Sequence, residues 1–222
     1  MVVSNSRGPE SLSGLVAELG EGATAATVTD AAHAADLVVA AIPLGAYQQL
    51  PAETLAGKIV IDTMVYYPGR DGHIEQLDAG TLTSSALVQR HLADSQVVKA
   101  FNNVDFHRLF TLARPAGAPD RSALPMAGDD AAAKIQVAQL HDLLGYDAVD
   151  IGSLADTWRN GPNTPIHVQP YLGVPAEALN SDEERWRWFL QTPGTPVPAD
   201  RVKALIDAAV PVPAGGVYPG TA

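Results

Sequence analysis

Short apolar runs separated by helix-like segments recur along the first two-thirds of the chain. The clearest are "LVVAAI" at residues 37–42, "KIVID" at 58–62, "QVVKAF" at 96–101 and "ALPMAG" at 123–128. These runs do not alternate between apolar and polar residues, which is typical of strands buried on both faces of a sheet. Parallel strands joined by helices are buried in this way. We therefore predict an α/β fold with a doubly wound parallel sheet.

The character of the sequence changes after residue 152, where prolines become dense and two helical segments follow. We predict a main domain over residues 1–152 and a C-terminal helical extension over 153–222 that packs on it. In the first helix, Trp186, Phe189 and Leu190 recur at helical spacing, which predicts a buried face. Trp188 lies on another face and is a candidate for contact with a second subunit, so a homodimer remains open.

Composition excludes several classes of function. The 25 acidic and 14 basic residues leave a net charge of −11, which argues against a nucleic-acid-binding surface. The longest apolar run is too short to cross a membrane, and we expect no secretory signal, because the N-terminal residues do not combine a basic stretch with an apolar one. Without cysteine there are no disulfides or thiolate metal sites, and the six histidines lack a metal-ligand spacing. We expect a cytoplasmic protein without a metal.

Ligands bind at the carboxyl ends of the strands in sheets of this kind, so the residues after each strand are candidates for a site. The first strand, "MVVS", is followed by Asn5, Ser6 and Arg7. In dinucleotide-binding folds a neutral polar turn with an arginine suits the 2′-phosphate of NADP, because guanidinium and phosphate form paired hydrogen bonds. The alternative is that residues 4–9 only cap a helix.

The next two strands end in residues that could line a ligand. Ile42 and Pro43 follow "LVVAA" and would let backbone lie along a flat ligand, unless the proline only terminates the strand. Tyr66 and Tyr67 follow "KIVID" and could line a substrate pocket or merely cover the core.

Polar residues follow the later strands. Asn102 and Asn103 come after "QVVKAF" and offer neutral donors and acceptors to a nicotinamide carboxamide, although Asn103 could be a helix cap. Asp129 and Asp130 follow "ALPMAG" directly before a helix. Acidic residues at that position favour the helix dipole, so we interpret them as capping residues rather than a metal pair.

Together these segments resemble the NADP-binding domain of coenzyme F-420-dependent NADP reductases. The resemblance covers residue 2 to about residue 155 and rests on six segments in the family's order. They are "SNSRGPES", "VVAAIPLGAY", "GKIVIDTMVYYP", "SQVVKAFNNV", "LPMAGDD" and "LGYDAVDIGSL".

The resemblance implies a Rossmann-like fold and hydride transfer between NADP(H) and a small acceptor, either coenzyme F-420, a flavin or another molecule. It implies no catalytic side chain, because the cofactors carry the chemistry. The residues implied to bind NADP(H) are Asn5, Ser6, Arg7, Ile42, Pro43, Ala100, Phe101 and Asn102, while Tyr66, Tyr67 and Asn103 would form the substrate pocket.

One feature of the family is absent from the sequence. Its fold begins with a strand and a G-x-G-x-x-G turn that binds the pyrophosphate, whereas Gly20 and Gly22 here follow a helix. We therefore expect the fold to lack one N-terminal strand–turn–helix unit of about 25–30 residues. A late start codon, a truncated gene or a loss of activity would each explain this. The alternative function is a non-catalytic binding or regulatory protein with the same fold.

Overall fold

Two sheets carry the strands of the computed structural model, which describes residues 1–175 and 179–216. Strands β1 and β2 form a small parallel sheet, and the other five form a sheet in the order β3-β4-β5-β6-β7. No ladder joins the two sheets within these residues. The strands are β1 Val2–Val3, β2 Thr24–Ala25, β3 Leu37–Ala40, β4 Ile59–Asp62, β5 Gln96–Ala100, β6 Ala123–Gly128 and β7 Asp147–Asp150.

Helices flank the larger sheet, which confirms the predicted α/β, Rossmann-like class.

No helix in the described ranges is long and apolar enough to cross a membrane. The α-helices are α1 Ser13–Leu19, α2 Val28–Ala34, α3 Ala52–Leu55, α4 Pro68–Asp71, α5 Glu75–Asp78, α6 Ser84–His91, α7 Phe106–Thr111, α8 Ala131–Leu143, α9 Gln169–Leu172, α10 Asp182–Gln191 and α11 Ala199–Asp207. Short 3-10 helices cover Pro9–Leu12, Gly20–Gly22, Leu44–Gln49 and Leu154–Asn160.

The larger sheet is mixed rather than wholly parallel. β3, β4 and β5 are parallel, and so are β6 and β7, but β5 and β6 run antiparallel. After β5 the chain forms only the short helix α7 and returns to the same edge, so it does not cross the sheet. The carboxyl ends of β6 and β7 therefore lie at the opposite edge from those of β3 to β5.

This topology separates the acidic residues after β6 from the carboxyl ends of β3, β4 and β5. Asp130 Oδ1 accepts the backbone N–H of Ala133 at 2.7 Å and caps α8. Asp129 Oδ1 accepts the backbone N–H of Leu154 at 2.9 Å. The predicted capping of the following helix is confirmed for Asp130, whereas Asp129 binds the first residue of the 3-10 helix Leu154–Asn160 instead.

Buried side chains form one cluster on each side of the sheet. One cluster joins β5, β6 and β7 to residues from the C-terminal part, including Val197, Val202 and Ile206. The other packs α6 and the 3-10 helix Leu44–Gln49 against β3 and β4. The boundary at residue 152 stays a prediction, although α11 buries its apolar face on the same core as β6.

The helix α10 meets the rest of the molecule through Phe189, which belongs to the predicted face, and through Trp188, which does not. Trp186 is 56 % exposed and Leu190 is 41 % exposed, so the prediction of a buried face that includes them is wrong. Instead, the rings of Phe189 and Trp188 lie 4.4 and 5.6 Å from the guanidinium carbon of Arg108. The Arg108 side chain is fully buried, and these cation–π contacts determine which face of α10 turns inward.

The outer edge of β3 is open. Among residues 1–175 and 179–216, β3 pairs only with β4, and its sequence of Leu, Val, Val and Ala carries no charge or proline that would protect an edge. Val39 is 50 % exposed. An apolar edge strand with unpaired backbone groups is a template for pairing with another chain.

We predict that Val39→Lys reduces self-association of the 222-residue chain, because a charged side chain on an edge strand opposes strand pairing. Light scattering coupled to size-exclusion chromatography measures this. Ile135→Lys is the matched control, since Ile135 is an exposed apolar residue on a helix. An equal decrease in both variants would show that surface charge, and not the β3 edge, governs association.

A second prediction concerns α10. Trp186→Ala should lower the free energy of unfolding by no more than about 1.5 kcal/mol, because its main loss is the stacking on Phe189. Leu205→Ala in the buried face of α11 should cost about 2–5 kcal/mol. Denaturant melts of both variants measure these decreases in the free energy of unfolding. A larger decrease for Trp186→Ala than for Leu205→Ala would contradict the described position of α10.

Candidate functional site

A cavity of about 480 Å³ lies at the carboxyl ends of β4 and β5. Because β3, β4 and β5 are parallel, this is the edge at which the sequence predicts ligand binding. The walls come from the residues after β4, the start of α6, the 3-10 helix Leu154–Asn160 and the C-terminal tail. Its lining includes Met64, Tyr66, Lys99, Asn102, Trp158, Asn160 and Gly215.

A buried ion pair forms the base of this cavity. Asp62 and Lys99 are register partners on β4 and β5, and Lys99 Nζ lies 3.3 Å from Asp62 Oδ2. The same carboxylate accepts the hydroxyl of Ser85 at 2.7 Å and the backbone N–H of Met64 at 2.8 Å. Lys99 Nζ also donates to the carbonyl oxygen of Met64. Burial lowers the pKa of Lys99, and the charge and hydrogen bond of Asp62 oppose this lowering.

Asparagines form the polar part of the cavity next to Lys99. The side-chain amides of Asn102 and Asn103 both donate to the backbone oxygen of Asn160, at 3.0 and 2.9 Å. Phe101, just before them, has a φ of 61°, which is strained for a residue with a side chain. The 3-10 helix ending at Asn160 is thereby tied to the end of β5.

The predicted nicotinamide residues are separated by this turn. Asn102 lines the cavity, whereas Ala100 is fully buried in β5. The ring of Phe101 stacks on His141 of α8, with 4.3 Å between ring centroids, and belongs to the core. Asn103 is also fully buried and does not line the cavity.

The two tyrosines occupy different positions. Tyr66 lines the cavity, and its hydroxyl donates to Asp78 at 2.7 Å and accepts the N–H of Ile74 at 3.0 Å. Burial and the hydrogen bond to Asp78 raise the pKa of Tyr66, so the phenol stays protonated at neutral pH. Tyr67 lies outside the lining, with the guanidinium carbon of Arg70 5.0 Å from its ring.

The C-terminal tail closes one side of the cavity. The backbone N–H of Gly216 donates to the Tyr66 carbonyl at 3.1 Å, and Asn163 Nδ2 donates to the Gly215 carbonyl at 2.9 Å. Gly215 has a φ of 89°, and a Cβ there would lie 2.7 Å from Pro68 Cδ. Only glycine fits this approach, so this residue places the tail against the cavity.

The predicted phosphate loop lies in the smaller sheet, after β1. Asn5 Oδ1 accepts the backbone N–H of Arg7, and Asn5 Nδ2 donates to Ser11 Oγ, both at 2.9 Å. Asn5 thus shapes the loop, whereas Ser6 and Arg7 are exposed. The guanidinium of Arg7 forms no ion pair within the described ranges, which leaves it open to an anion.

Ile42 and Pro43 lie beyond the end of β3, at the same sheet edge as the cavity. Ile42 is partly buried in the cluster that packs on β3 and β4, and Pro43 is exposed before a 3-10 helix. The fold therefore brings residues 42–43, Tyr66 and Asn102 to one edge. It places Asn5, Ser6 and Arg7 at the end of a strand in the other sheet.

Three important residues were not among the predicted site residues. Asp62 and Lys99 carry a signal in the sequence, because charged residues inside apolar strands are rare without a partner. Asn160 carries no such signal. It lies in a proline-rich segment whose position against β5 depends on the tertiary structure.

His167 adds a titratable group beside the polar cluster. Burial lowers the pKa of His167 to about 4, and the Lys99 charge adds to this lowering while the Asn160 backbone opposes it. A histidine in the unfolded chain has a pKa of about 6.5. Between these values the unfolded state binds more protons, so the folded state loses stability as the pH falls.

We therefore predict a loss of about 2–3 kcal/mol from this group between about pH 6.5 and pH 4, allowing for its partial exposure. His167→Gln should flatten the pH dependence of the unfolding free energy over that window. His33→Gln, at an exposed position, is the control. An unchanged slope in the His167 variant would contradict the prediction.

Comparisons with known proteins place the chain in a family. The family described as NADP oxidoreductase, coenzyme F420-dependent, matches residues 1–66. A search of curated proteins found no match.

Solved structures match over a longer stretch. The hypothetical protein SMa0349 from Sinorhizobium meliloti is 30 % identical, with coverage of 81 % of this chain and 82 % of that one and a TM-score of 0.61. A putative F420-dependent NADP-reductase from Arthrobacter sp. FB24 is 27 % identical, with coverage of 70 % and 75 % and a TM-score of 0.59. Because these matches agree with the sheet and the strand-end loops described above, the chain belongs to the coenzyme F420-dependent NADP oxidoreductase family, whose members are NADP(H)-dependent oxidoreductases.

Proposed function

We propose that the protein transfers hydride between NADP(H) and a deazaflavin of the coenzyme F420 type or another small acceptor. The observation that carries the proposal is the cavity at the carboxyl ends of β4 and β5, with a polar base and largely apolar walls. Its volume of about 480 Å³ lies in the range of about 300–1,000 Å³ of small-molecule sites. The Arthrobacter relative is named for the same pair of cofactors.

NADP(H) fits the residues at the end of β1. Arg7 offers an exposed guanidinium, the neighbouring Ser6 offers a hydroxyl, and Asn5 holds the turn that presents both. No acidic residue precedes Arg7 in this loop, so nothing there favours the 2′-hydroxyl of NAD. Arg7 and Ser6 would bind the 2′-phosphate through charge-assisted hydrogen bonds.

The residues at the edge of the larger sheet would hold the other end of the cofactor. Residues 42–43 would pack along it through backbone and apolar contacts. Asn102, which the strained turn at Phe101 directs to the cavity, would orient the carboxamide, with Ala100 behind it. Tyr66 would form the wall of the acceptor site, with Tyr67 and Asn103 supporting it.

Hydride transfer needs the two reacting rings to be held together and shielded from water. NADP(H) supplies the hydride chemistry when it is bound. The contribution of this chain is the position of the rings and a dry wall made by Met64, Trp158 and the tail around Gly215. No side chain has to act as a nucleophile or a base in this proposal.

We predict that Arg7→Ala weakens binding of NADPH about ten- to a hundredfold, because a charge-assisted contact is worth about 1.5–3 kcal/mol. Binding of NADH should remain nearly unchanged. Calorimetric titration measures the affinities for NADPH and NADH. A comparison of the affinities for 2′,5′-ADP and 5′-AMP, which differ in the 2′-phosphate, tests the adenosine end separately. Arg201→Ala, at an exposed position on α11, is the control variant.

Equal losses for NADPH and NADH in the Arg7 variant would refute the role of Arg7 in 2′-phosphate binding. The oxidoreductase proposal itself is tested by loss of NADPH absorbance when a deazaflavin acceptor is added. Binding of NADPH without any turnover would instead favour the non-catalytic alternative.

A further inference from the structure

Two side chains of the helix α10 face the rest of the molecule. Of the ten residues Asp182–Gln191, all are exposed except Trp188 and Phe189, and these two are only partly buried. Their rings lie 5.6 and 4.4 Å from the guanidinium carbon of Arg108. Neither core cluster, as the described residues define it, contains a residue of α10. The helix therefore adds little buried apolar surface to the fold.

The group that these rings cover is a guanidinium without hydrogen bonds. Arg108 is fully buried, and its Nε, Nη1 and Nη2 atoms have no hydrogen-bond partner in the part of the chain that the structure describes. The carboxylate oxygen Oδ1 of Asp105 lies 3.7 Å from Nη1, which is too far for a hydrogen bond. That oxygen already accepts the backbone N–H groups of His107 and Arg108.

Two effects oppose each other when α10 covers Arg108. The contacts between the aromatic rings and the cation favour the closed position of the helix. A guanidinium has five N–H donors, and covering it removes its hydration without supplying a hydrogen bond in return. Because the other residues of α10 bury little, the closed position and an open position, in which water reaches Arg108, are close in free energy.

The residues after α10 stay attached to the body of the protein. The hydroxyl of Thr111 donates to the carbonyl of Pro193 at 2.7 Å, and the N–H of Thr195 donates to the carbonyl of Tyr171 at 2.9 Å. Gly194 between them has a φ of 92°, and a Cβ there would lie 2.6 Å from the Tyr171 carbonyl oxygen. The chain is thus held at residues 193–195, and this segment is the pivot of α10.

We propose that α10 is a lid that opens while the sheet and α11 stay folded, and that the buried guanidinium of Arg108 destabilises the closed position. The helix itself melts when it opens, because isolated helices shorter than about 12–15 residues are marginal in water. Opening hydrates Arg108 and uncovers the ring of Phe106, which lies 5.6 Å from that of Phe189 in the closed position.

The alternative is that Arg108 anchors α10 through its contacts with the two rings. The two possibilities predict opposite effects when methionine replaces Arg108. Methionine keeps favourable contacts with aromatic rings, and it has no hydration to lose. If the guanidinium destabilises the closed position, this replacement holds the lid more tightly. If the guanidinium is an anchor, the replacement releases the lid.

Native-state hydrogen exchange of the 222-residue chain measures the opening constant of each helix separately. The amides of α10 should exchange through a local opening that is populated in about 0.1–10 % of the molecules. The amides of α11, which has a buried face, should exchange only through global unfolding. Equal opening constants for the two helices would overturn the proposal.

The decisive variant combines Arg108→Met with Asp105→Asn, which avoids an unpaired buried carboxylate, and asparagine retains the helix cap. Relative to Asp105→Asn alone, this double variant should lower the opening constant of α10 about tenfold or more. An unchanged or increased opening constant would overturn the proposal, because Arg108 would then be neutral or an anchor.

A second pair of variants tests the lid without a change of charge. Phe189→Ala should raise the opening constant of α10 about tenfold or more, because it removes the ring next to Arg108. Phe110→Ala is the matched control, since Phe110 is 89 % exposed. It should leave the opening constant unchanged. If the double variant does not fold, this pair still decides, because equal opening constants in Phe189→Ala and Phe110→Ala would overturn the proposal.

Trypsin provides an independent measure of the same opening. Arg185 and Arg187 lie within α10, and the bonds after them are cleaved only when the helix melts. Cleavage at these two sites should be slowest in the double variant and fastest in Phe189→Ala. The same cleavage rate in all variants would overturn the proposal.

Discussion

The ion pair between Asp62 and Lys99 is the interaction on which the candidate site depends. Two register partners on adjacent parallel strands bring opposite charges together inside the sheet. Removing charges from water costs several kcal/mol each, and the remaining hydrogen bonds of the carboxylate offset part of this. Ser85 and Met64 supply these bonds, so β4, β5 and α6 are held together at the base of the cavity.

The other walls of the cavity depend on contacts with that base. Asn102 and Asn103 tie the 3-10 helix Leu154–Asn160 to the end of β5 through one carbonyl. The tail then reaches Tyr66 through Gly216. Segments that are far apart in the sequence thus meet at one edge of the sheet. Apolar walls around a few fixed polar groups are typical of sites that orient a planar ligand.

Burial decreases from β4 and β5 towards β3 and the helix α1. β4 and β5 are buried almost entirely, whereas β3 exposes Val39 at its open edge. In α1, Leu15 and Leu19 are 42 % and 44 % exposed although they lie on its apolar face. The cavity and the ion pair therefore lie in the well-packed part of the protein, and the proposed phosphate loop lies in the less packed part.

Much of the fold could be predicted from local patterns. Apolar strands, helix caps such as Asp130 and the loops after β3, β4 and β5 follow from residue types at short spacing. The antiparallel β6 could not be predicted, because strand direction depends on whether the connection crosses the sheet. The inward face of α10 could not be predicted either. Helical spacing does not reveal that the buried Arg108 of another helix contacts the rings of Trp188 and Phe189.

The sequence by itself determined the strands, the family and the charged residues Asp62 and Lys99 inside apolar strands, because these depend on neighbours along the chain. The tertiary structure alone decided that the two charges are register partners and that Asn160, fifty-eight residues after Asn102, completes the cavity. Such pairings depend on how segments far apart in the sequence pack against the sheet. Local patterns do not encode which of these segments come into contact.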